Sequence, residues 1–209
     1  MQTFERRSRG PVAAGGPEGN ARLTGVTAAV LLVLLAVEGV TLLSLRSMLS
    51  WHIFVGMLLV PVVLLKFAST GYKFVRYYRG YPEYRKVGPP PLALRLLGPV
   101  VVLSTAGLFA TGVALAARRP GGGRLLLLHK ASFAVWVAAM TIHVLAHLTK
   151  IPGLTVPDLR GGEGVRASRL RLTIVAAAIV AGAILAVATL SLIGPWVTWF
   201  NTFHFGGDH

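Results

Sequence analysis

The chain has 209 residues, 54% hydrophobic and only 13% charged, with 21 lysines and arginines against 7 acids and a net charge of +14. A soluble domain of average make-up carries about a quarter charged residues, and so few acids cannot solvate the surface of a 22.2 kDa water-soluble protein. There is no cysteine, which excludes disulfide scaffolds, iron–sulfur clusters, zinc fingers and thiol catalysis and leaves an integral membrane protein with a basic bias.

Residues 1–23 carry Arg6, Arg7, Arg9 and Arg22 and are rich in Gly, Pro and Ala from 8 to 21. That composition predicts a disordered tail. Five apolar runs follow, at about 24–45, 52–72, 92–116, 125–148 and 172–194, each long enough for the roughly 20 residues of helix that cross a bilayer. None has the alternation of a barrel strand, so all five are predicted helices and the fold class is an all-α membrane bundle. The first run is too long for a signal-peptide core and lacks a cleavage site, so it reads as an anchor helix. Pro61 interrupts the second run and frees the carbonyl of Met57, which predicts a kink. Gly88-Pro89-Pro90-Pro91 stops the second helix before the third begins, and Arg118-Arg119-Pro120-Gly121-Gly122-Gly123 reads as a short turn. Residues 151–171 are predicted as a loop and 195–209 as an external tail. Trp196, Trp199 and Phe200 in that tail read as an interfacial anchor, and His204 and His209 as solvated.

The cations decide the expected orientation. Fifteen of them (Arg6, Arg7, Arg9, Arg22, then six from Lys73 to Arg95, then Lys150, Arg160, Arg166, Arg169 and Arg171) fall on the side of the N-terminus, and four (Arg46, Arg118, Arg119, Arg124) on the other. The positive-inside rule then puts the N-terminus in the cytoplasm and the C-terminus outside, in a multi-pass protein of the plasma membrane. The same bias explains the net charge without nucleic acid, since the loops are too short to carry a basic binding surface.

Four of the six histidines, His52, His129, His143 and His147, fall inside spans, where ionisable groups are costly and mark function. His129 and His143 are fourteen residues apart, about 21 Å along a helix and about 40° from eclipsed. They share one face with Phe133, Trp136, Met140 and His147. The second and fourth helices run in the same direction, so His52 lies at the same membrane level as His129. Gly56, one turn on, would let a flat macrocycle approach the backbone. This arrangement suits a b-type haem held by two imidazoles from facing helices, and without cysteine the haem is not covalently attached. Helix-packing hydrogen bonds are the competing reading of each histidine. Glu38 is the acid deep in a span and reads equally as a proton relay or a cross-helix hydrogen bond; His147 reads as a quinone head-group donor or interfacial residue. Arg46, Arg124 and Lys130 lie at the outer rim, within reach of haem propionates or lipid phosphates.

On His52, the His129/His143 spacing, the stretch from Lys66 through Thr70-Gly71-Tyr72 to Arg79, and Leu128-His129-Lys130, the chain resembles the bacterial membrane b-type cytochromes of the four-helix cytochrome b superfamily, including the cytochrome b subunits of formate dehydrogenases and hydrogenases. The resemblance covers about residues 24–150. It implies a four-helix cytochrome b-like core, haem b, quinone as a lipid-phase partner, and a redox partner subunit that carries any catalysis. The departures are Lys66, fourteen residues beyond His52 where a two-haem relative has its second ligand, and the absence of histidine from the first helix. Neutral lysine can ligate iron, so Lys66 with His143 would make a second haem site; alternatively Lys66 snorkels to the interface. One haem is the expected count. The competing functions are a cofactor-free membrane scaffold or assembly subunit on the same fold and, last, a small transporter, for which the sequence shows no inverted repeat.

Overall fold

The computed structural model describes residues 16–88, 91–121, 123–159 and 165–205; of 157, 165 and 203–205 only the backbone is described. Arg6, Arg7, Arg9, Arg160, His209 and the side chain of His204 lie outside. The described residues contain no strand. Their helices are α1 (Pro17–Leu43), α2 (Leu45–Tyr78), α3 (Pro82–Arg85), α4 (Leu92–Ala116), α5 (Arg124–His147), α6 (Ile151–Leu159), α7 (Val165–Ala188) and α8 (Ile193–Phe205), with 3₁₀ turns at Leu148–Lys150 and Leu190–Leu192.

Five helical segments are long and apolar enough to cross a membrane: Pro17–Leu43, Leu45–Tyr78, Leu92–Ala116, Arg124–Val156 and Arg166–Ala188. The third coincides with the run expected at 92–116, the second and fourth extend beyond theirs at both ends, and the first and fifth begin and end earlier than the expected 24–45 and 172–194. α1 begins at Pro17, seven residues ahead of the expected 24, because Pro is favourable in a first helical turn. The disordered tail expected for 1–23 is therefore helical from 17; residues 1–15 lie outside the described set. α1 and α2 are joined through Ser44 alone, and α2 runs unbroken through Pro61.

The core lies along α2, which packs against α1 on one side and α7 on the other. Leu31 of α1 meets Val55, Leu59, Val62 and Val63 of α2, and Ala178 and Ile179 of α7 close over them. Ala178, Gly182 and Ala186 recur every four residues on α7, so one row of small residues faces α2. A side chain at Gly182 would run into the carbonyl oxygen of Leu58, which means the two helices touch backbone to backbone. Small residues permit this approach in lipid, where dispersion contacts rather than hydrophobic burial hold helices together. The fifth span thus shares a core with the first two, whereas the sequence suggested a helix added to a core of 24–150. α4 and α5 form a hairpin that meets α2 through α4, with Phe109 and Ala116 on the core.

Two segments expected to be irregular are helical. Ile151–Leu159 lies in the predicted loop, yet α6 forms because tertiary contacts hold it. Asp158, with a fully buried side chain, takes a two-pronged bond from Arg171 of α7, Nε to Oδ2 and Nη2 to Oδ1, both at 2.6 Å. Ser168 adds a bond of 3.1 Å, and Arg22 of α1 stands 3.6 Å away. These donors, the Arg171 bonds foremost, hold the Asp158 carboxyl below the usual range for Asp. Leu154 packs on Gly25 of α1, where a side chain would collide. The second segment is α8 in the predicted tail. Trp196 is buried there, donating from Nε1 to the Leu115 carbonyl at 3.1 Å, so it bolts α8 to the end of α4 and is not the interfacial anchor expected of it.

Candidate functional site

α5 builds the site from its half-buried seam. His129, Phe133, Trp136, Met140, His143 and His147 are all partly buried, while most residues between them are exposed. This is the stripe that helical periodicity picks out. Trp136 is fixed by a 3.0 Å bond from Nε1 to Thr105 Oγ1 on α4, and the Phe133 and Trp136 rings stack at 6.3 Å. Midway along α5 an apolar groove of about 270 Å³ is lined by Trp136, Val137, Met140, Thr141, Val144 and Leu145.

His52 is close enough to His129 for the rings to interact electrostatically, and Lys66 stands in the same relation to His143. α2 itself packs on α4 rather than on α5, so the members of each pair are linked by this electrostatic proximity and not by direct packing of their helices. The two pairs differ in hydrogen bonding.

At the first pair, both rings are held through Nδ1. His52 Nδ1 lies 2.8 Å from Glu38 Oε1 and 3.3 Å from Thr41 Oγ1. The Thr41 hydroxyl also reaches the Glu38 carbonyl at 2.6 Å, and with its proton placed there Nδ1 is the donor to it. His129 Nδ1 lies 3.1 Å from Thr111 Oγ1, whose own proton goes to the carbonyls of Gly107 (2.7 Å) and Leu108 (3.1 Å). Nδ1 again donates. In this tautomer each neutral ring keeps Nε2 as a lone pair. Metal-ligating histidines are oriented in this manner, with the far nitrogen donating to a carboxylate or another oxygen. Gly112 completes the pocket for His129, because a methyl at that position would sit 3.1 Å from His129 Cε1. Gly56 faces Glu38, and a Cβ there would meet Oε1 at 3.7 Å, so its missing side chain makes room for the carboxylate. Glu38 Oε2 is buried without a hydrogen-bond partner among the described residues.

At the second pair, Lys66 and His147 are engaged with backbone, whereas the His143 ring has a stacking contact and, among the described residues, no hydrogen bond that orients it. Lys66 Nζ donates to the Thr24 carbonyl of α1 at 2.9 Å, an engagement that draws it toward α1. His147 Nδ1 donates to the His143 carbonyl at 2.9 Å, and the two rings stack at 4.6 Å.

Thr41, Thr111 and Gly112 were not foreseeable as site residues from the sequence, since their role depends on which helices are neighbours. Among the described residues no three His, Asp or Glu side chains converge as they would for a bare metal ion. Comparison with family models, curated proteins and solved structures finds no match.

Proposed function

We propose that the chain is an integral membrane b-type cytochrome, an electron-transfer subunit with one haem b held by His52 and His129. The observation that carries this reading is the pair of neighbouring histidines, each with Nδ1 committed to a side-chain oxygen and Nε2 left over. Two such imidazoles, one from each of two spans, would hold the haem iron, and the haem would supply one-electron exchange. Glu38 and Thr41 hold the proton on His52 Nδ1, and Thr111 does the same for His129. Phe133, Trp136 and Met140 offer an apolar wall along the same face of α5 that keeps water away. Glu38, whose buried Oε2 lacks a partner among the described residues, is the candidate proton relay, and His147, with Nδ1 donating to the His143 carbonyl, keeps an Nε2 lone pair that would accept from a quinol hydroxyl at the opposite level. The protein lies in the plasma membrane with its N-terminus in the cytoplasm, on the 15 to 4 division of cations, and serves a redox partner subunit.

The test is a reduced-minus-oxidised absorption spectrum of the purified protein and of His52→Ala and His129→Ala. A b-type alpha band in the wild type, lost in both variants, is the expected result. Full spectra in both variants would sink the pair assignment, and a wild type with no haem absorbance would leave the cofactor-free scaffold. A reporter fused after His209 tests orientation; cytoplasmic activity there would reverse it.

A further inference from the structure

All five tyrosines of the chain fall between residues 72 and 84, interleaved with Lys73, Arg76, Arg79, Arg85 and Lys86 and a single acid, Glu83. The haem reading makes no use of this segment. α2 has 34 residues, about 51 Å of helix, against a hydrocarbon core about 30 Å thick. About 20 residues counted from Arg46 end near Lys66. The tyrosines therefore begin at headgroup depth, on the side to which the N-terminus belongs.

The local fold makes a site of them. α2 ends in a Schellman turn: Gly80 has φ 84, its N–H bonds the Tyr77 carbonyl at 3.1 Å, and the Tyr81 N–H reaches back to the Arg76 carbonyl at 3.2 Å. Tyr81 is thereby folded over Arg76. The Arg76 guanidinium sits 4.1 Å from the centre of the Tyr81 ring and 5.0 Å from that of Tyr72. Pro82 starts α3, and buried Tyr84 packs edge-on against Tyr72 at 6.1 Å, bracing the arrangement. Cation–π contact engages the faces of a guanidinium; one N–H of Arg76 is turned to the Tyr72 hydroxyl, and the others form the edge that grips phosphate two-pronged. Among the described residues no carboxylate is within ion-pair distance of Arg76, Lys73, Arg79, Arg85 or Lys86. Beside them Phe74 and Tyr78, 61% and 62% exposed, present tilted rings with centres 4.5 Å apart. A soluble anion would leave those rings in water, whereas a lipid covers them with its glycerol and acyl ends.

We propose that the collar from Tyr72 to Lys86 binds the headgroup of an anionic glycerophospholipid, with the ring-clamped Arg76 taking the phosphodiester. The full chain in detergent would be titrated with phosphatidylglycerol and, in parallel, phosphatidylcholine of the same acyl chains, with bound lipid counted by native mass spectrometry. Phosphatidylglycerol should be held more tightly. Arg76→Ala and Tyr81→Leu should each weaken it by about tenfold, and Arg76→Lys by about threefold, because the fork is lost while the charge stays. Arg169→Ala, which removes the same charge from α7, should change it less than about twofold. Equal binding of the two lipids, or equal effects of Arg76→Ala and Arg169→Ala, would overturn the site. Displacement of phosphatidylglycerol by inorganic phosphate, or by an acidic peptide, would overturn the lipid as its occupant. Should Arg76→Ala melt early, Tyr81→Leu and Arg76→Lys decide the matter.

Discussion

The two ends of the bundle use polar side chains differently. At the His52 end, the histidines are held by side-chain oxygens of Glu38, Thr41 and Thr111, and each ring keeps one nitrogen unspent. At the Lys66 end, most polar groups join helices together: Lys66 to the Thr24 carbonyl, Asn20 to the Ser69 carbonyl at 2.9 Å, and Asp158 to Arg171; His147 bonds its own helix, and the His143 ring has no side chain among the described residues that orients it. A polar group already matched to a backbone carbonyl has little left for a ligand, because every buried donor withdrawn from its partner leaves an unpaired group behind. The lesson is that intramembrane polarity alone does not mark a site; a ring oriented by other side chains, with one nitrogen left over, does.

The sharpest way to break this contrast is to count haem. On the proposed reading the wild type holds about one haem per chain, His52→Ala and His129→Ala hold none, and Lys66→Ala and His143→Ala keep it. Haem quantitation that returned about two per chain, falling to one in Lys66→Ala, would make the ends equivalent and Lys66 an axial ligand. Next in size is Asp158→Ala. Removing the carboxylate leaves Arg171 and Arg22 facing each other at a buried site, so stability in denaturant should drop by about 3 kcal/mol with the haem band unmoved. If that band disappears with it, the ends are coupled and the division fails.

A smaller effect is expected from Thr111→Val, which removes the acceptor of His129 Nδ1 at nearly constant shape. Haem affinity, titrated into protein prepared without it, should fall by about tenfold. Thr155→Val, whose hydroxyl only serves the Ile151 carbonyl of its own helix at 3.0 Å, should not alter it. The smallest effect concerns pH. Because the folded Asp158 carboxyl titrates below its unfolded value, its stabilisation is fully present above the unfolded pKa of about 3.9 and is lost as pH falls through the lower folded value. Melting curves should therefore show no Asp158-dependent difference between about pH 7 and 5, and the wild type should converge on Asp158→Asn only below about pH 4. Convergence near neutrality would mean that the carboxylate is not held by Arg171.

The five spans were legible because an apolar run of that length has few alternatives, and the α5 stripe because helical periodicity alone puts His129, Trp136 and His143 on one face. The helicity of Ile151–Leu159 was not legible: Pro152, Gly153 and Pro157 argue for a loop, and what holds the helix is a bond from Asp158 to a residue on another span. Trp196 was misread for the same reason, since its partner is a carbonyl eighty-one positions away. The spacing of Ala178, Gly182 and Ala186 was visible in the sequence, yet it names no partner until α2 is seen against it. Thr41 and Thr111 are ordinary span threonines by pattern. Only the neighbouring ring distinguishes them.

The backbone contact at Gly182 has a bearing on how the chain is made. The face of α2 that carries Leu58 leaves the ribosome early, and the segment that covers it is synthesised only after the α4–α5 hairpin. Until α7 arrives, that face must be lined by acyl chains or by the insertion machinery. Final assembly is then a displacement of lipid by a helix, and a bulky residue at 182 would arrest it at that late step, after four helices have already been delivered to the bilayer.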